Sequence, residues 1–314
     1  MFFSTKRNFS FEQIPDLSGK VAIITGSNTG IGKVCALEMA RKNCTVVLAC
    51  RNEEKTKAVV EQIKSETGNQ NVEFIRIDLL ELASIKQFVE QFLTRHDQLH
   101  ILINNAGVMC CSFGLSKDNI EIQFATNHVA HYYLTSLLWP TIVKSTPSCR
   151  IVNVSSIGHM IPFKELNLES ISDPAKYNKI IHYAKSKTCN ILFTRELTKR
   201  LQDKDINNVY VNCSHPGAVK TDLYRHLTRI DEKTFVSFIN LFLITPEDGA
   251  ITQLYLATSP EVEQKDIKGH YYVPYASPNK PYGVAASKDA PKELWDFTEK
   301  LLKEKVPDYT GFPI

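Results

Sequence analysis

The chain predicts an α/β protein, a single domain built on a doubly wound parallel sheet of about seven strands. Three observations carry this. Short β-branched runs alternate with longer amphipathic ones through most of the length, the short runs are almost continuously apolar, and a glycine-rich turn joins the first short run to the first long one. Repeated alternation puts a helix between successive strands, and strands without a polar face need helices on both sides.

The strand runs are KVAIITG (20–26), TVVLAC (45–50), VEFIRIDL (72–79), ILINNAG (101–107), RIVNVSS (150–156), VYVNCSHPG (209–217) and GHYYV (269–273). Between the first six lie patterns such as GKVCALEMARK, EEKTKAVVEQIKSETG, SIKQFVEQFLTRH and NILFTRELTKRLQ, with apolar residues at helical spacing. Segments 157–176 and 218–245 break the rhythm. Irregular stretches of that length at strand ends in such folds are usually functional loops.

Composition narrows the function. With 314 residues, 43% hydrophobic and 23% charged, the chain can bury a large core as an ordinary globular protein. The net charge is +3 with both signs interspersed, and no zinc-finger or RNA-binding motif occurs, so nucleic acid is not an expected partner. The cysteines at 35, 44, 50, 110, 111, 149, 189 and 213 form no CxxC pair and no secreted disulfide pattern, which fits free thiols in a reducing compartment. The opening MFFSTKRNFSFEQIPDLSGK is too short in its apolar part for a signal sequence. No apolar run of about 18 residues suggests an integral membrane anchor. A cytoplasmic location is expected, with peripheral attachment to endoplasmic reticulum or lipid droplets as the alternative.

The turn TGSNTGIGK places Gly26, Gly30 and Gly32 where a strand enters a helix, with Asn28, Thr29 and Ile31 between and beside them. Glycine lets backbone turn sharply and approach a ligand, and the free N–H groups of a helix start attract a pyrophosphate. This predicts a dinucleotide site. At the end of the second strand, an acidic residue would hold the ribose 2′-OH of NAD, whereas an arginine accommodates a 2′-phosphate. Here Cys50 is followed by Arg51, which favours NADP(H) as cofactor.

In HYAKSKTCN (182–190), Tyr183 and Lys187 lie four residues apart and share a helix face, whereas Lys185 faces away. A tyrosine beside an ammonium can exchange a proton near neutrality, because the charge favours the phenolate. His128 and His131 are three apart but have no carboxylate or cysteine in register, so packing or polar contacts are expected and no metal site.

Taken in order, TGSNTGIG, NNAG (104–107), Asn127 in ATNHVAHYYL, VNVSS (152–156), YAKSK (183–187) and HPGAVKT (215–221) resemble the short-chain dehydrogenase/reductase family over roughly residues 18–275. QLHILINNAGVM, ACRN and NILFTREL are most similar to its retinol-dehydrogenase and WW-domain-oxidoreductase branch. The resemblance implies a Rossmann-type fold and a catalytic set of Asn127, Ser156, Tyr183 and Lys187. Tyr183 would be the general acid/base, and Lys187 would also hold the nicotinamide ribose. Ser156 would bond the substrate oxygen, and Ser155 would point the other way. Asn127 would hold a water linking Lys187 to solvent. Asn104, Asn105, Ala106 and Gly107 would line the crevice on the adenosine side, and Asp78 with Leu79 would meet adenine. Pro216, Gly217 and Val219 would border the nicotinamide, and Thr221 would reach its carboxamide or the pyrophosphate.

The expected activity is NADP(H)-dependent interconversion of a lipophilic alcohol and its aldehyde or ketone. A dinucleotide-binding regulatory or scaffold protein is the alternative. Residues 221–245, ending in KTFVSFINLFLIT, are expected to cover the substrate, with 162–170 as the opposite wall and 276–314 as a C-terminal extension. The helices carrying Asn127 and Tyr183 are those that such proteins use to form a homodimer.

Overall fold

The computed structural model describes residues 7–220 and 243–314. Thr221 and most of the expected substrate cover fall outside the described residues.

Eight strands form one sheet in the order β3-β2-β1-β4-β5-β6-β7-β8. They are β1 Val21–Thr25, β2 Thr45–Cys50, β3 Val72–Arg76, β4 Ile101–Asn104, β5 Cys149–Val154, β6 Val209–Ser214, β7 Tyr271–Val273 and β8 Ser277–Asn279. The first seven run parallel, and β8 turns back antiparallel on β7. The strand order reverses beside β1, so a crevice opens where β1 and β4 diverge toward their helices, the position at which open α/β sheets bind ligands.

The principal helices are α1 Gly30–Arg41, α2 Glu53–Thr67, α3 Leu82–Leu93, α4 Ile122–Phe124, α5 Ala130–Lys144, α6 Lys179–Asp203, α7 Pro246–Thr258, α8 Glu261–Gln264 and α9 Ala290–Lys305. A π-helical turn, Ala125–Val129, joins α4 to α5. Alternate strand residues serve two cores. Ile23 joins Phe88, Tyr132, Leu192 and Leu294 on one face, while Ala22 and Ile24 join Met39, Ile63 and Leu254 on the other. Both faces are dry, which is why the strands read as unbroken apolar runs. Phe9, Ile14 and Leu17 also enter the second core.

The C-terminal extension covers α5 and α6. Trp295 of α9 meets the Tyr132 ring at 5.0 Å, and Phe312 meets Trp139 at 5.1 Å. Glu299 accepts from Tyr132 Oη at 2.7 Å and from Tyr309 Oη at 2.6 Å. The chain's own C-terminus thus covers this aromatic face of α5. Among the described residues no helix is long and apolar enough to cross a membrane.

Candidate active site

The carboxyl ends of β1, β4, β5 and β6 bring the predicted groups together. Gly26 leaves β1 at φ +66° and Gly30 opens α1 at φ +54°, values that side chains rarely adopt. A β-carbon on Gly32 would lie 2.6 Å from Asn105 Nδ2 and 2.7 Å from the Gly26 carbonyl, so only glycine fits. Asn105 braces this loop by donating to the Thr25 carbonyl at 2.9 Å, and Ala106 packs 3.0 Å from the Gly26 β position. Asn28 Nδ2 donates to Thr56 Oγ1 at 3.2 Å, which ties the loop to α2. Thr29 occupies the cap position of α1, and Ile31 packs beneath. No acidic residue sits in the first turn of α1, so nothing repels an anion there.

Cys50 is buried at the end of β2, and its Sγ accepts the Ser27 N–H at 3.2 Å. Arg51 follows it at the surface, and no ion pair engages it among the described residues. Glu53, two positions on, is already paired with Lys57 at 2.6 Å. Lys33 turns to α2, where it donates to Gln62 at 2.7 Å. Beyond β3, Asp78 Oδ1 accepts the Leu80 N–H at 3.1 Å and Leu79 packs on the core.

Asn104 departs from the expectation. It faces inward, donating to Asn153 Oδ1 at 2.8 Å and Thr135 Oγ1 at 3.3 Å, and does not line the crevice. Its neighbour Asn105 does, because successive residues at a strand end face opposite ways.

The candidate acid–base groups converge from three elements. Tyr183 and Lys187 lie one turn apart on α6, 6% and 4% exposed. Lys187 Nζ donates to the Val154 carbonyl at 3.0 Å and lies 6.0 Å from the Tyr183 ring centre. Burial pushes the Lys187 ammonium down to about 8, with only a small opposing effect from Cys213. A β-carbon on Gly107 would sit 3.2 Å from Lys187 Nζ and 3.1 Å from Asn127 Oδ1, which places all three side by side. A β-carbon on Gly158 would lie 3.0 Å from Tyr183 Cε1 and 3.4 Å from Ser156 Oγ, so Ser156 and Tyr183 flank that glycine. Ser156 Oγ accepts the Gly158 N–H at 3.0 Å, which leaves its own proton for another acceptor. Ser155 turns away and donates to the Lys187 carbonyl at 2.7 Å, as its strand position requires.

At β6, His215 Nδ1 accepts from Ile157 N at 3.2 Å and Gly217 N at 3.3 Å, joining the Ser156 turn to the Pro216–Gly217 turn. Gly217 adopts φ +97°, and Val219 pairs with Ile244 on the far side of 221–242. The stretch 162–170 departs from its expected place as a wall. Phe163, Leu166 and Leu168 pack into the first core, and Ile157 and Met160 are the exposed apolar groups beside Tyr183. His128 and His131 diverge: His128 Nε2 meets Thr298 Oγ1 at 3.1 Å, and His131 Nε2 meets Thr25 Oγ1 at 2.9 Å. Among the described residues no cluster could hold a metal.

Residues 20–231 match the short chain dehydrogenase family. This chain belongs to that family. Among its relatives, retinol dehydrogenase 13 of Homo sapiens is 38% identical over 306 residues, 95% of this chain and 89% of that protein. Retinol dehydrogenase 11 of Homo sapiens is 37% identical, covering 91% and 86%. An uncharacterized oxidoreductase of Schizosaccharomyces pombe is 38% identical, covering 94% and 88%. These relatives set this short chain dehydrogenase in the retinol dehydrogenase-like branch. A solved Mycobacterium paratuberculosis protein superposes with a TM-score of 0.75 at 28% identity, covering 98% of this chain and 99% of that one. A Shigella flexneri short chain dehydrogenase crystallised with NADP has the same fold, with a TM-score of 0.63 at 24% identity over 82% and 98%.

The residues present fit the nicotinamide dinucleotide of the family. The Gly26–Gly32 loop supplies backbone N–H groups around a helix start without a competing carboxylate, and Lys187 is a buried cation whose bonds are to backbone, not to an acid. As a member of this family, the protein is an oxidoreductase.

Proposed function

We propose that this short chain dehydrogenase is NADP(H)-dependent and interconverts a lipophilic alcohol and its aldehyde or ketone, with Tyr183 as general acid/base. The observation that carries the reading is the placement of Tyr183 and Lys187 one turn apart, with Ser156 across Gly158. The bound nicotinamide supplies or accepts hydride. The chain's own residues manage the oxygen. Tyr183 gives a proton to it or takes one from it, and Lys187 favours the phenolate that results. Ser156, whose lone pair is already used by Gly158 N–H, donates to the same oxygen.

Gly26, Asn28, Thr29, Gly30, Ile31 and Gly32 would hold the pyrophosphate, with Asn105, Ala106, Gly107, Asp78 and Leu79 beside the adenosine. Arg51, exposed next to Cys50 and without an ion pair among the described residues, would meet the 2′-phosphate. The NADP of the Shigella neighbour agrees with that choice. The lipophilic substrate class is supported by exposed Ile157 and Met160 beside Tyr183, and by the retinol named for two relatives. The free, buried thiols of Cys35, Cys44, Cys50, Cys149, Cys189 and Cys213 support a reducing compartment such as the cytoplasm.

The test is consumption of NADPH and of NADH against a panel of lipophilic aldehydes and ketones. Turnover with NADPH preferred is the expected result. Tight binding of either dinucleotide with no turnover across the panel would favour a regulatory protein.

A further inference from the structure

His131 is 2% exposed and lies one turn beyond Asn127. Its two ring nitrogens reach separate elements. Nε2 is 2.9 Å from Thr25 Oγ1 at the end of β1, and Nδ1 is 3.2 Å from the Asn127 carbonyl.

The partners fix which nitrogen carries the proton. Thr25 Oγ1 already accepts two backbone N–H groups, from Asn105 and Ala106, each at 3.0 Å. Its lone pairs are used, so its own hydrogen must be donated. The acceptors in reach are His131 Nε2 and, less closely, the Ile103 carbonyl at 3.4 Å. A carbonyl can only accept, so the nitrogen facing Asn127 must be Nδ1–H. Both ends are satisfied only by the Nδ1–H form.

The link continues into the acid–base centre. Asn127 lies in the π-helical turn, where the Ala130 N–H closes on the Ala125 carbonyl and the regular ladder is displaced. Asn127 Oδ1 accepts from Val108 N at 2.8 Å, and Nδ2 donates to Ser186 Oγ at 2.8 Å. Ser186 Oγ in turn donates to the Tyr183 carbonyl at 2.8 Å. An unbroken buried chain therefore runs from the Asn105–Ala106 backbone, which braces the glycine loop, to the turn of α6 that carries Tyr183.

We propose that His131 is a positioning residue of this active site, whose Nδ1–H form ties the Asn127 turn to the end of β1 and so holds the acid–base groups in register with the dinucleotide loop. The proposal rests on the reading of Asn127, Tyr183 and Lys187 as that acid–base centre. His131 touches neither substrate nor cofactor in this scheme. Its contribution is geometry, where small displacements are costly.

Two measurements test it. In 15N-histidine NMR of the wild-type protein, without cofactor or substrate, His131 is expected as the neutral Nδ1–H tautomer. An Nε2–H tautomer would overturn the proposal whatever the variants do. In turnover of nonanal with NADPH, His131→Leu is expected to lower kcat by about 10- to 100-fold, the scale of a misplaced catalytic group, with little change in KM. His131→Asn keeps only the Asn127 end and His131→Gln only the Thr25 end, so each should recover part of the loss and neither the whole. Wild-type kcat in His131→Leu, or equal losses in all three variants, would mean that His131 only fills space. Tyr183→Phe is run alongside: full turnover there removes the acid–base reading, a result distinct from any outcome at His131.

Discussion

The Lys187 ammonium lies 6.0 Å from the centre of the Tyr183 ring and bonds the Val154 carbonyl at 3.0 Å, so the charge nearest the phenol is held by backbone and not by a carboxylate. An acid partner would cancel the field that favours the phenolate, whereas a carbonyl fixes the ammonium without neutralising it. The proton-transfer role proposed for Tyr183 is one that a variant can isolate. Tyr183→Phe removes one hydroxyl and almost no volume. Turnover should fall by at least about 10²-fold, the usual scale for losing general acid/base catalysis. NADPH binding, followed by fluorescence titration, should change only a few-fold. Near-normal turnover would sink the mechanism.

Lys187 should also leave a signature in stability. Burial holds it at about 8 in the folded chain, against 10.5 ordinarily. The folded-state value is depressed, so between these limits the unfolded chain binds more protons and stability must rise with pH. Below about 8 both states are charged and the burial penalty is fully present. Urea unfolding at pH 8 and pH 9.5 should therefore show wild type gaining on Lys187→Met by on the order of 2 kcal/mol. A gap that does not change with pH would show that Lys187 is not depressed.

Lys185 and Lys187 of α6 separate the pair from its surroundings. Lys185 is also buried, but it interacts with Cys189 one turn on. Lys187→Ala should lose turnover and weaken NADPH binding, while Lys185→Ala should do neither. Equal losses at both positions would refute the helical pairing.

Arg51 is the residue proposed to set the cofactor preference. A charge-assisted bond to phosphate contributes roughly 1.5–3 kcal/mol, or about 10–150-fold in affinity. Wild type should favour NADPH over NADH by at least about tenfold in kcat/KM on that scale. Arg51→Ala should weaken NADPH alone. Adding Cys50→Asp should move the preference to NADH, since a carboxylate repels the 2′-phosphate and accepts from the 2′-OH. Lys33 gives no help, being bound to Gln62. Equal damage to both cofactors in Arg51→Ala would return Arg51 to the surface.

The sheet and the side-by-side placement of Tyr183 and Lys187 were legible because each rests on local periodicity. Continuous apolar runs gave the parallel strands, and four-residue spacing paired Tyr183 with Lys187. β8 was missed because a three-residue edge strand containing Pro278 has no periodic signal. Asn104 was misplaced by one residue of strand alternation. The bridging position of His131 was not legible at all. It depends on Thr25 lying opposite it across the β1–α5 boundary, a contact between residues 106 apart in sequence. His215 likewise acts between two turns that meet only in the folded sheet.

The cover over α5 and α6 has a consequence for how the protein is made. Tyr132 and Trp139 emerge from the ribosome well before Trp295 and Phe312, which seal them. At synthesis rates of about 5–20 residues per second, α5 and α6 wait on the order of ten seconds with an aromatic face uncovered. During that interval the nascent chain exposes the Tyr132 and Trp139 rings that the C-terminal segment later covers. Any message that stops short of α9 would leave this surface open for good, so loss of the last residues should read in cells as insolubility before it reads as lost turnover.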